Sequence, residues 1–149
     1  MLHLEDITVG QTYVTGSLTV TADNIKAFAR QFDPQPFHLD EAAAEDSLFG
    51  GLAASGWHTA ALTMRLLVDG LPFAGGLIGA GGEIGWPRPT RPGDVLTAHI
   101  EVLEVTPSRS KPDRGMVLTR TETRNQNGEP VQVSKVRIIA WRRPSGAAG

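Results

Sequence analysis

The segment from Trp57 to Leu71 constrains the fold of this chain more than any other stretch. Its apolar residues recur at helical spacing, and it holds no acidic residue before Asp69. The apolar positions are Trp57, Ala60, Ala61, Met64, Leu67, Val68 and Leu71. A helix that is apolar over most of its circumference is buried on several sides. The rest of the chain must therefore be arranged around this helix.

After this helix the pattern changes to that of strands. Leu77–Trp86 is rich in glycine, Val95–Val105 and Met116–Arg124 alternate in polarity, and Val131–Trp141 completes the series. Asn125–Gly128 reads as a hairpin turn between two of them. One face of the first long strand is apolar and consists of Leu96, Ala98, Ile100 and Val102. A buried helix followed by long, mostly antiparallel strands predicts an α+β fold in which a curved sheet wraps around the helix.

The first part of the chain adds a strand and two helices to this plan. Thr12–Val20 reads as a strand, and Asp40–Ser47 as a short alanine-rich helix. Between them, four apolar residues follow the spacing of a one-faced helix, which Thr21 or Asp23 can cap. These four residues are Ile25, Phe28, Ala29 and Phe32.

The most informative motif for function lies between these two helices, at Asp33-Pro34-Gln35-Pro36-Phe37-His38-Leu39-Asp40. Proline fixes φ and disfavours helical geometry in the residue before it, so we expect a stiff, non-helical loop. Such a loop would hold Asp33 and His38 in a fixed relation. A carboxylate beside an imidazole suits proton transfer near neutral pH. From the residues alone, the alternative is that these polar groups merely cap the next helix.

Composition and charge narrow the classes of function. The chain has 149 residues, and we expect one domain over residues 1–143 and a flexible tail over 144–149. With 14 basic and 16 acidic residues the net charge is −2, which predicts neither a nucleic-acid nor a membrane partner. The absence of cysteine excludes disulfides and a thiol nucleophile. No signal pattern or membrane-length apolar run is present, so a cytoplasmic location is expected.

Taken together, these motifs resemble the MaoC-like dehydratase family, which includes (R)-specific enoyl-CoA hydratases. That family carries a carboxylate followed by x-Asn-Pro-x-His, and Asp33, Pro36 and His38 match it. Gly56 matches the glycine that opens the family's central helix, and the likeness extends from about Phe28 to Val136. The chain departs from the family pattern at Phe32, Gln35 and Ser55, where glycine, asparagine and histidine are usual.

The resemblance implies a hot-dog fold, a homodimer and an enzyme that adds or removes water at an enoyl thioester. It implies Asp33 and His38 as the catalytic pair, with the proton roles unassigned, and the Gly56 N–H as the oxyanion donor. The substrate would be an acyl-CoA or acyl-carrier thioester, with no cofactor or metal. Acyl length and the carrier stay open.

Six further residues are candidates for substrate binding, each with a structural alternative. They are Gln35, Ser55, Trp57, Arg88, Arg109 and Lys111. Ser55 could instead cap the helix, and Trp57 could belong to the core with Met64 and Leu67. The cations, with Arg91 and Arg114, could hold coenzyme A phosphates or form a solvated face.

Two other functions remain open on the sequence. A hot-dog thioesterase generally carries a carboxylate on or near the central helix, and residues 57–68 contain none. A non-catalytic acyl-CoA-binding subunit would be indicated by loss of the Asp/His pair, which this chain retains.

Overall fold

The computed structural model describes residues 1–146 and contains five strands and four α-helices. A short 3-10 helix, Leu4–Asp6, precedes them. The elements are β1 Thr12–Thr19, α1 Ala22–Phe32, α2 Pro36–Leu39, α3 Glu41–Glu45, α4 Gly56–Gly70, β2 Ile78–Gly85, β3 Val95–Pro107, β4 Arg114–Arg124 and β5 Pro130–Trp141. Of the predicted tail, residues 147–149 lie outside the described residues.

The strands form one antiparallel sheet in the order β1-β3-β4-β5-β2. The predicted inner face of β3 is buried, since Leu96, Ala98, Ile100 and Val102 are each at most 2% exposed. Helix α4 packs against β1, β3 and β5. The predicted α+β fold, with a curved sheet around a helix, is therefore confirmed.

Helix α4 is less completely buried in one chain than its sequence predicts. Thr59, Thr63 and Leu66 are buried, whereas Trp57, Met64 and Val68 line its other side. Trp57 is 61% exposed and Val68 is 54% exposed. The expectation of burial on several sides is wrong for the single chain, because one sheet covers one side of a helix.

Helix α1 begins and packs largely as predicted. Thr21 caps it, since its Oγ1 accepts a hydrogen bond from the Asn24 backbone N–H at 3.1 Å. Ile25 and Ala29 are fully buried. Phe32 is 63% exposed, contrary to the prediction of an inward position, because it is the last residue of the helix. Its ring packs against that of Phe28, at 5.1 Å between centroids.

The double-proline segment contains a helical turn that the sequence analysis excluded. Gln35 is extended, as expected for a residue before proline, but Pro36 begins the four-residue helix α2. Proline is well suited to the first position of a helix, because its φ is already helical and no N–H bond is required there. His38 therefore lies on a helical turn and not in a loop.

Along the described residues, no helix has the length and apolar character needed to cross a membrane.

Candidate active site

The structure brings Asp33 and His38 together between α1 and α4. Asp33 follows the last residue of α1, and His38 lies on α2. The His38 Nε2 is 3.3 Å from the Asp33 Oδ2, and the two side chains are only 5% and 18% exposed. The expected fixed relation between the two groups is thus present, although a helical turn and not a loop provides it.

A backbone carbonyl fixes the proton on the His38 ring. The His38 Nδ1 is 2.6 Å from the carbonyl oxygen of Ala53, which can only accept a hydrogen bond. Nδ1 must therefore carry a hydrogen, and in the neutral ring Nε2 presents a lone pair towards Asp33. The ring is further held by edge contact with Phe37, at 4.6 Å between centroids.

Two polar neighbours stabilise the charged form of Asp33. Burial alone would raise the pKa of Asp33, but the polar neighbours Ser55 and Gln35, and His38 when its ring is protonated, outweigh burial and lower that pKa. The Gln35 Nε2 donates to the Asp33 Oδ1, so Gln35 contacts the carboxylate and not the imidazole. The Ser55 hydroxyl is fully buried and has no partner at ideal hydrogen-bond geometry within the described residues.

The N-terminus of α4 opens onto a cavity next to this pair. Ser55 occupies the N-cap position, but its side chain does not cap the helix. The first N–H groups of a helix have no partner inside it and carry partial positive charge. The cavity measures about 290 Å³ and is lined by His38, Phe49, Ala54, Gly56, Thr59, Trp86, Pro87, Arg88, Pro89 and Thr90.

Gly56 permits the closest contact in this region. A Cβ atom at this position would lie 2.8 Å from the Trp86 ring atoms Cδ2 and Cε2. Any larger residue would therefore displace the indole. The observed reason for glycine here is close packing against Trp86, and Gly56 also lines the cavity.

The basic residues predicted to bind phosphate do not lie together. Arg88 lines the cavity and pairs with Glu129 at 3.0 Å. Arg91 has a structural role, because its guanidinium donates to the carbonyls of Phe49, Gly51 and Leu52. Arg91 thereby fixes the loop that leads into α4.

Arg109 and Lys111 lie far from the cavity within one chain. Both belong to the turn between β3 and β4, whereas the cavity lies near the start of β3. The 13 residues of β3 span roughly 40 Å at about 3.3 Å per residue. Arg114, beside the same turn, pairs with Asp113 and stacks on Trp141. The expectation that these cations share a cradle with Arg88 is wrong for a single protomer.

The remaining sequence candidates are distributed around α4. Trp57 makes an edge contact with Trp86 at 5.3 Å but does not line the cavity. Met64 and Leu67 line a second cavity further along the helix. His58 is buried and stacks on Phe28 at 4.8 Å.

Sequence reasoning missed three contributors to the site: the Ala53 carbonyl, Trp86 and Thr90. A backbone carbonyl has no sequence signature, and Trp86 is 30 positions from the glycine on which it packs. Thr90 lies beside Thr59, to which its hydroxyl is bonded at 2.9 Å. The prolines around Thr90 are typical of a connection between elements, and this was the one sequence signal near that residue.

Comparison with known proteins indicates the family to which this chain belongs. The model of the MaoC like domain matches residues 6–125. A MaoC-like dehydratase from Rhodospirillum rubrum has 59% identity and a TM-score of 0.95, covering 97% of this chain and 99% of its own. The R-hydratase PhaJ1 from Pseudomonas aeruginosa has 26% identity and a TM-score of 0.73, covering 99% and 96%. The 3-hydroxybutyryl-CoA dehydratase of Methylorubrum extorquens is 30% identical over 74% of this chain and 70% of its own.

The family model covers most of the chain, and the solved relatives share its sheet and central helix. The predicted hot-dog fold and the predicted family are therefore confirmed. This chain belongs to the MaoC-like dehydratase family.

Proposed function

We propose that this protein catalyses the reversible hydration of 2-enoyl thioesters to (R)-3-hydroxyacyl thioesters. The observation that carries the proposal is the Asp33–His38 pair, with its imidazole held by the Ala53 carbonyl, at the edge of a cavity that contains the N-terminus of α4. The R-hydratase and the 3-hydroxybutyryl-CoA dehydratase support this class of reaction.

The pair is suited to holding one water molecule. With Nδ1 protonated, the neutral His38 offers only a lone pair at Nε2, and an ionised Asp33 also only accepts. Two hydrogen-bond acceptors 3.3 Å apart repel each other unless a donor supplies a hydrogen atom to each of them. A water molecule that donates one O–H to each group satisfies both and is oriented for attack.

The same geometry favours His38 as the general base. A carboxyl whose pKa is lowered is a poor proton acceptor at neutral pH, whereas histidine is well suited to that task. In our scheme the water oxygen bonds to the β-carbon while one water proton passes to Nε2. The π electrons move onto the thioester oxygen. The imidazolium, stabilised by Asp33, then protonates the α-carbon, and neutral imidazole is restored.

The developing enolate oxygen requires a hydrogen-bond donor. We assign this role to the backbone N–H of Gly56, because the first turn of α4 has no side-chain cap and faces the cavity. Oriented backbone donors and a helix N-terminus stabilise such charge without reorganising during the reaction.

We further propose that the active unit is a two-fold homodimer. Strand β2 is an edge strand, and seven of its eight residues are exposed. The exposed side of α4 carries Trp57, Met64 and Val68, and the second cavity, beside Met64, is lined by both α4 and β2. Pairing β2 with its copy would remove the open edge and cover these apolar groups.

The test is a spectrophotometric assay of purified protein with enoyl-CoA substrates of several lengths, together with chiral analysis of the product. We expect hydration, and we expect Asp33→Ala and His38→Ala each to lower kcat/KM by about 10²–10⁴ while the fold is retained. Asp113→Asn, in the distant β3–β4 turn, is the matched control and should leave kcat/KM unchanged.

Three outcomes would contradict the proposal. Near wild-type turnover in a folded Asp33 or His38 variant would exclude the proposed pair. Release of free coenzyme A without hydration would favour the thioesterase. Tight binding of acyl-CoA with no turnover at any chain length would favour a non-catalytic subunit.

A further inference from the structure

Trp86 separates two cavities that lie along the same face of α4. The first, here called the catalytic cavity, contains His38 and is lined by Gly56 and Thr59 on the helix. The second, the distal cavity, measures about 270 Å³ and is lined one turn later on the helix by Ala60 and Thr63. Its remaining lining residues are Met64, Leu67, Gly82, Glu83, Ile84, Gln132, Ser134 and Val136.

The indole of Trp86 is held in this position from two sides. Its Nε1 donates a hydrogen bond of 3.0 Å to the Oε1 of Gln132. Gln132 is only 3% exposed and itself lines the distal cavity. On the other side the indole packs against Gly56, where even a Cβ atom would not fit. Trp86 lines the catalytic cavity and Gln132 lines the distal cavity, so the bonded pair forms a wall between them, and Trp86 keeps 40% of its surface exposed.

We propose that Trp86 is a specificity-determining residue that ends the acyl pocket and restricts the enzyme to short-chain enoyl thioesters. The inference rests on the proposed function, because it takes the catalytic cavity as the site of the reacting thioester. Trp86 lines the catalytic cavity, and Gln132, the residue to which it is bonded, lines the distal cavity. An acyl chain that extends from the catalytic cavity along α4 would therefore meet the indole.

Removing the wall should open a path for longer acyl chains. The distal cavity offers apolar surface from Met64, Leu67 and Ile84, and in the proposed dimer the partner would cover its open side. Each buried methylene contributes a factor of about four in binding, from about 0.8 kcal/mol per CH₂. Four additional methylenes in the distal cavity would therefore favour an eight-carbon over a four-carbon substrate by up to about two orders of magnitude relative to the wild type.

The experiment compares Trp86→Leu and Trp86→Phe with the wild type on enoyl-CoA substrates of four to ten carbons. We expect the wild type to prefer the shortest substrates, and Trp86→Leu to raise the ratio of kcat/KM for eight carbons to that for four by at least about tenfold. Trp86→Phe keeps part of the wall and should shift the ratio less. Trp141→Leu removes a tryptophan at the far end of β5 and should leave the ratio unchanged.

A second measurement does not depend on turnover. Saturated acyl-CoA ligands of the same lengths are titrated by calorimetry into the wild type and into Gln132→Met, which keeps the side-chain length but no longer accepts the Trp86 bond. Affinity should rise with chain length more steeply in the variant. An unchanged length dependence in folded Trp86→Leu and Gln132→Met would overturn the role of Trp86. A wild type that hydrates no enoyl thioester at all would overturn the proposed function instead.

Discussion

Substituting Ser55 by alanine tests how the protein keeps Asp33 ionised. The Ser55 hydroxyl is fully buried at the start of α4 and contributes to lowering the pKa of Asp33, although it makes no hydrogen bond of ideal geometry within residues 1–146. Burial of the carboxyl opposes this effect, while Gln35 acts in the same direction as Ser55. Ser55→Ala removes one donor and leaves the other in place.

The expected size follows from the strength of one hydrogen bond to a charge. Such a bond contributes about 1.5–3 kcal/mol. The Ser55 hydroxyl makes no bond of ideal geometry, and Asp33 is 18% exposed and keeps Gln35, so we expect a smaller effect, about 1 kcal/mol, with the pKa of Asp33 raised.

The sign of the stability effect is fixed by linkage. A carboxyl whose pKa is lowered by folding contributes stability above its ordinary pKa of about 3.9, and this contribution is lost as the pH falls through the folded value. Ser55→Ala should therefore lower the free energy of unfolding by about 1 kcal/mol at pH 7. The difference from the wild type should shrink towards pH 2.

The assay is urea unfolding of Ser55→Ala and the wild type at several pH values between 7 and 2. The loss of stability in Ser55→Ala should be present at pH 7 and disappear as the pH falls, and Ser55→Thr should restore the wild-type profile. Ser108→Ala, whose hydroxyl accepts from the Lys111 N–H in the distant turn, is the matched control. A pH dependence of unfolding that coincides with that of the wild type, in a folded Ser55→Ala protein, would refute the assigned role.

Three further predictions concern other parts of the molecule. Burial lowers the pKa of His58, so folding favours its neutral form, and the free energy of unfolding should be highest above pH 6.5 and fall as the pH drops below it. Urea unfolding of His58→Phe should therefore show a smaller loss of stability between pH 7 and 5 than the wild type. Light scattering at micromolar concentration should give twice the chain mass of 15.9 kDa. Ile84→Asp on β2 should reduce the measured mass towards that of one chain, whereas Val14→Asp on β1 should not. An active wild-type monomer would exclude the proposed dimer. Arg88→Ala should raise KM for a CoA thioester by up to about fivefold, but should not raise KM for a pantetheine thioester. Arg109→Ala should change neither KM, and equal effects of the two variants would contradict a role for Arg88 in binding the coenzyme A phosphates.

The elements of the fold could be predicted because their periodicities are strong. The alternation in Val95–Val105 and the apolar spacing of Trp57–Leu71 each identify one element and its inner face. The exposure of Met64 and Val68 could not be predicted, because the same apolar pattern serves a helix buried by its own sheet and one buried by a second chain. The turn of helix at Pro36 was missed because proline both restricts the residue before it and favours the helix that begins with it.

Only part of the geometry of the site could be predicted from the sequence. Asp33 and His38 lie five positions apart, so a short, stiff segment was enough to bring them together. The Ala53 carbonyl is 15 positions from His38 and meets it only through the packing of α2 against the loop before α4. Arg109 and Lys111 were grouped with Arg88 by composition alone, and a long strand separates them in the fold.

Two departures from the family pattern act on the same carboxylate. Gln35 donates to the Asp33 Oδ1, and the Ser55 hydroxyl also helps to lower the Asp33 pKa. Both residues therefore favour the charged form of Asp33, which supports our proposal that the His38 Nε2 takes and returns the proton. If one nitrogen removes the proton from water and delivers it to the α-carbon, both new bonds form on the face of the substrate that His38 contacts. Addition of water should then be syn, and elimination in the reverse direction must remove the hydroxyl and the α-proton from that same face.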